Sequence, residues 1–129
     1  MNYQFAFLCD AANILPNNLF NVLGGGIATL AFESLPCQRP LTLLLRIEYN
    51  PISESGNHVI EIRLVDMDGR DKIQPLSLNV EFSPNFRFFN FITGLIPKFD
   101  VYGPHSVEIS VDRHSIVSIP LDIISSPLK

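Results

Sequence analysis

The sequence predicts an all-β fold, a single antiparallel β-sandwich of about eight strands spanning residues 1–129, immunoglobulin-like or C2-like in arrangement. A partly open β-barrel is the alternative. Three observations predict it. Apolar and polar residues alternate at a period of two in one short stretch after another. Gly, Pro, Asn and Asp cluster between those stretches at short spacing. No stretch carries the i, i+3, i+4 apolar repeat of an amphipathic helix, and many short strands without helices favour a sandwich or a barrel.

Taken in order, Tyr3 to Cys9 sets Tyr3, Phe5, Phe7 and Cys9 on one face and Gln4, Ala6 and Leu8 on the other, which makes an opening strand. Asp10 to Asn18 holds Asn13, Pro16, Asn17 and Asn18, whose side chains compete for backbone hydrogen bonds, so a loop is expected. Leu19 to Leu23 is extended, and Ile27 to Glu33 resumes with Ala28, Leu30 and Phe32 on one face. The glycines between them, Gly24, Gly25 and Gly26, lie inside sheet-like sequence and read as a structural bend where side chains would clash.

Pro36 and Pro40 bar a central strand before Leu41 to Tyr49, which aligns Leu41, Leu43, Leu45, Ile47 and Tyr49 against Thr42, Arg46 and Glu48. After the polar loop Asn50 to Asn57, a hairpin is expected. His58 to Asp66 turns Ile60, Ile62 and Leu64 inward, and Leu76 to Phe82 turns Leu76, Leu78, Val80 and Phe82 inward. Phe86 to Thr93 is aromatic on both faces. A long connection, Gly94 to Pro104, leads to a last hairpin that pairs Val107, Ile109 and Val111 with Val117, Ile119, Leu121 and Ile123 across Asp112 to Ser115. Pro120 points to an edge strand.

Composition narrows the function classes. With 13 acidic and 9 basic residues the net charge is -4, which repels a phosphate backbone, so nucleic acid is not the expected partner. No apolar run approaches the roughly 18 residues that cross a bilayer, and the start reads as a strand rather than a signal peptide. The expectations are therefore no membrane partner and a cytoplasmic protein. Cys9 and Cys37 in apolar surroundings agree with a reducing compartment, while one disulfide between them stays open.

Candidate sites are few. Asp66, Asp68, Gly69 and Asp71 form DxDGxD, and hard cations want several carboxylate oxygens, yet the spacing departs from an EF-hand loop. A polar turn with Gly69 at positive φ is the favoured reading, with Asp66, Asp68 and Asp71 kept as weak metal candidates. His58, His105 and His114 have no metal-ligand spacing, and GxSxG is absent. Asp10 reads as a strand cap. No cofactor and no catalytic residue is expected.

The run FLCDAAN, followed by NVLGGGI, resembles the opening of an uncharacterised family of small bacterial proteins of unknown function. HVIEIRLVDMDGRD and SVEISVDRHSIVSIPLDI continue the resemblance to the end of the chain. It implies one sandwich-like β-domain, with no activity or site residues to carry over. The residues themselves favour a non-enzymatic binding or assembly module acting through protein-protein contacts, self-association included. The apolar segment Phe86 to Phe99 motivates this, with Phe89, Phe91, Leu95, Ile96, Phe99 and Tyr102 as interface candidates. A small-ligand or carbohydrate-binding β-domain is the first alternative, lowered by the absence of Trp, and a hydrolase with a fold-assembled site is the second.

Overall fold

Period-two alternation becomes strands almost everywhere it occurs. The computed structural model describes residues 1–126, so the last three residues of the expected domain lie outside the described ones. Among the described residues there are twelve strands and no helix. They are β1 (Asn2–Cys9), β2 (Ala11–Ile14), β3 (Phe20–Leu23), β4 (Thr29–Phe32), β5 (Cys37–Gln38) and β6 (Leu41–Glu48). β7 (Gly56–Asp66), β8 (Leu76–Phe82), β9 (Phe88–Leu95), β10 (Lys98–Phe99), β11 (Gly103–Val111) and β12 (His114–Ser125) complete the chain.

Two large sheets contain most of them. One has three strands in the order β1-β6-β9, the other five in the order β4-β12-β11-β7-β8, and the pairs β2-β3 and β5-β10 stand apart. Leu41, Leu43, Leu45 and Ile47 of β6 join Ile60, Ile62 and Leu64 of β7, Val107 and Ile109 of β11, and Leu121 and Ile123 of β12 in one buried cluster. Each such side chain contributes about 1.5–3 kcal/mol by leaving water. Leu44 points to the opposite face of β6 and is still fully buried, because the β2–β3 hairpin runs beside β6 and β9 there.

Several expectations need correction. Twelve strands replace about eight, because short pairs form where Asn, Pro and Gly suggested only loop. In the expected loop Asp10 to Asn18, β2 pairs β3, and the Leu15 carbonyl accepts from the Asn18 N–H at 2.9 Å. Asn18 has φ 64°, and an Asn tolerates that left-handed state well enough to close a short hairpin. The fold is not wholly antiparallel, since β4 runs parallel to β12, Thr29 beside Asp122 through Phe32 beside Ser125. The connection Gly94 to Pro104 contains β10, which pairs β5.

The expected last hairpin forms with a tighter turn than Asp112 to Ser115. Val111 pairs His114 directly, and Asp112 and Arg113 both take positive φ, 51° and 68°. Pro120 lies opposite Ser106, and the pairing of β12 with β4 begins only at Asp122. Its missing N–H therefore faces a side of β12 where no strand is paired.

Candidate functional site

The alternation that sends Leu45, Phe89 and Phe91 inward sends Phe5, Arg46 and Asn90 to the outer face of the three-stranded sheet, where Arg46 and Asn90 are register partners. The half-buried Arg46 guanidinium donates from Nε to Asn90 Oδ1 at 2.7 Å, from Nη1 to Gln4 Oε1 at 3.4 Å and from Nη2 to the Asn18 carbonyl at 3.3 Å. Its central carbon lies 5.1 Å from the Phe5 ring centre, 5.6 Å from Phe20 and 5.4 Å from Phe88. Aromatic faces stabilise a cation by about 0.5–2 kcal/mol each, more as water is excluded.

Over this cation opens a groove of about 440 Å³ between the β2–β3 hairpin tip and the β8–β9 connection. Arg87, Glu81, Phe86, Phe88 and Leu19 share its lining with Arg46. Phe86 and Leu19 are more than half exposed there. Tyr49 lies at its inner end, donating to the Ser83 carbonyl at 2.7 Å and stacking on Phe82 with ring centres 4.5 Å apart. Burial pushes the Tyr49 phenol up from its ordinary range.

The DxDGxD residues do not converge on a common point. Asp66 Oδ1 accepts from the backbone N–H groups of Asp68 and Arg70, at 2.9 and 3.0 Å, and Oδ2 meets Lys72 Nζ at 2.9 Å. Lys72 is almost fully buried and also reaches Asp100 at 2.5 Å. The Lys72 hydrogen bond, with help from the two N–H donors, holds the Asp66 carboxyl down at about 2, against the opposing effect of burial. Asp71 turns away to pair with Arg63 at 3.0 Å, while Gly69 makes the turn at φ 77°. Of the three candidate carboxylates, Asp66 alone meets the Lys72 ammonium, whose second carboxylate is Asp100. Among the described residues no three His, Cys, Asp or Glu side chains gather as a metal site.

The histidines stand apart from one another. His58 Nδ1 meets Asp112 Oδ2 at 2.5 Å and Nε2 meets the Glu54 carbonyl at 2.7 Å. Two acceptors facing both ring nitrogens favour the imidazolium, which donates twice. Burial alone would lower the His58 pKa, but Asp112, Glu54 and that carbonyl outweigh it and raise the pKa. His105 is buried edge-on to Phe99, with Nδ1 at 2.9 Å from the Gly103 carbonyl and Nε2 without a partner among the described residues. His114 is exposed.

Asp10 and the glycines form one joint. Asp10 pairs with Arg39 at 2.7 Å, and its backbone N–H donates to the Leu23 carbonyl. Gly24 and Gly26 have φ 61° and 85°, and a Cβ on Gly24 would run into the Asp10 carboxylate. One on Gly25 would sit 3.0 Å from Val22 and 3.3 Å from Phe7. Both cysteines are free, and burial, with Asp10 beside it, raises the Cys9 thiol pKa.

Residues 4–124 match the family described as "Family of unknown function (DUF6941)". The chain belongs to DUF6941. No curated protein matches it. In this DUF6941 chain the expected interface residues divide. Leu95 and Phe99 are buried in the chain's own core, and Phe89 and Phe91 pack half-buried against it, because β9 turns its odd-numbered side chains inward. Ile96 stays 60% exposed, and Tyr102 is partly exposed while donating to the Phe32 carbonyl. Arg46, the centre of the groove, was missed because its alternation marked only an outward strand residue. The run of Phe88, Phe89 and Phe91 was the available signal that an aromatic surface lies near it.

Proposed function

We propose that this protein is a non-enzymatic assembly module that joins a second copy of itself through the free edge of β9. One observation carries the reading. β9 is paired with β6 on one side only, and its eight residues, Phe88–Leu95, contain no charge and no proline. Charges, prolines and short strands are the usual devices that protect an edge from pairing. Antiparallel pairing of an edge with its own copy satisfies a two-fold axis, and an uncharged strand sets no like charges opposite each other. The remaining edges are less open: β4 has four residues, β8 carries Glu81, and β1, equally uncharged, is broken by a bulge between Tyr3 and Phe5.

Gly94 supplies the test, because it is exposed and a Cβ there would meet nothing within 4 Å. Gly94→Lys is expected to turn a concentration-dependent dimer into a monomer by light scattering, and to melt at the temperature of the native chain diluted until it is monomeric. A wild-type monomer at every concentration refutes the reading. The engagement of His58, Asp66, Lys72 and Asp10 with protein partners supports a non-catalytic role, as does the Cys9 thiol, which burial and the neighbouring Asp10 carboxylate hold in its protonated, less nucleophilic form. The two large sheets sharing one core support a sandwich as the finer fold. Free cysteines support the cytoplasm, and the bacterial origin implied by the sequence resemblance is part of the same reading.

A further inference from the structure

We infer that the groove over Arg46 binds a carboxylate presented by an acidic, otherwise apolar peptide segment of a partner protein. The inference goes beyond self-association through β9 and stands on separate observations. Among the described residues no carboxylate pairs with Arg46, whose three hydrogen bonds all go to neutral amide oxygens. A guanidinium has five N–H donors, so two remain for a ligand. Withdrawing a cation from water is costly, and an anion brought against it offsets that cost. Here the three phenylalanine rings hold the cation in place without neutralising it.

Charge complementarity names the occupant. The lining carries two guanidinium groups, Arg46 and Arg87, against one carboxylate, Glu81. Arg87 is largely exposed and only loosely held by Glu48 at 3.7 Å. A carboxylate between the two arginines gains charge-assisted hydrogen bonds in the planar fork geometry that arginine offers. Phe86, Phe88, Ile14 and Leu19 around them are exposed and apolar, so they suit the side chains flanking an acidic residue in a peptide. Asn17 and Asn90 in the lining have their side-chain oxygens engaged and keep amide N–H groups that can donate to a peptide backbone.

The test titrates 15N-labelled protein with blocked Ac-Ile-Glu-Phe-NH2, its Gln counterpart and benzoate. The Glu peptide is expected to bind at least about tenfold tighter than the Gln peptide, shifting the Arg46 Nε–H and the Asn90 amide, and to weaken with salt. Arg46→Lys and Arg87→Gln are each expected to lose most of that preference, with folding checked by melting temperature. Should Arg46→Lys unfold, the Glu-against-Gln comparison on the unaltered chain and Arg87→Gln still decide. Equal affinity for the two peptides, or shifts away from the groove, overturns the inference. Benzoate binding as tightly as the Glu peptide overturns the peptide source. Adding Gly94→Lys separates the two readings, since it breaks dimerisation and leaves the groove intact.

Discussion

Lys72 sits between the carboxylates of Asp66 and Asp100 and is shielded from solvent. Removing one partner of a buried ion pair strands the other, so Lys72→Met is expected to destabilise the protein by about 3 kcal/mol in urea unfolding. Asp68→Asn, in the same turn but outside the pair, is expected to leave the urea midpoint unchanged. Because the Asp66 pKa falls from 3.8 to about 2 on folding, its stabilisation is complete above 3.8 and is lost as pH falls through about 2. His58 works in the other direction. Its folded pKa lies above 6.5, so its contribution is complete below 6.5 and is lost as pH rises through the folded value. Thermal melts from pH 6 to 9 are expected to show that decline in the native chain and a flatter profile in His58→Gln. DxDGxD was legible as an acidic turn, whereas the partner that settles its chemistry, Asp100, comes from a different part of the chain and leaves no local pattern.

At the scale of elements, the joint made by Asp10, Gly24 and Arg39 fixes where the β2–β3 hairpin ends and the chain leaves for the other sheet. Gly24→Ala combines a positive φ with a collision against Asp10, and is expected to cost more than about 1 kcal/mol. Gly26→Ala meets no atom within 4 Å, so only the backbone term opposes it and a smaller loss in melting temperature is expected. The strands of β6, β7, β11 and β12 were legible because alternation states directly which side chains face the core. β9 was legible as an aromatic strand over Phe86 to Thr93, while what each of its faces covers was not, for a physical reason. Phenylalanines on both faces look like surplus apolar area, yet one face fills the core and the other shelters Arg46. The parallel partnership of β4 and β12 had no sequence signal, since pairing across the chain depends on where the glycine bend aims the strand.

The whole molecule is held by one apolar cluster drawn from both large sheets. Leu45→Ala in the three-stranded sheet and Leu64→Ala in the five-stranded sheet are each expected to cost about 2–5 kcal/mol. Both variants are expected to keep a single transition, coincident by circular dichroism and tyrosine fluorescence, because neither sheet has a core of its own. The general class, all-β with one buried face per strand, was readable from composition and period, while the count and order of strands were not. The seat of β4 also bears on synthesis. Its hydrogen-bond partners, Asp122 to Ser125, lie 93 positions further along the chain than Thr29 to Phe32, so the segment that follows the glycine bend must wait, unpaired, until they have been synthesised. Folding during translation can close the three-stranded sheet and the β7–β8 hairpin before β4 finds its place on β12.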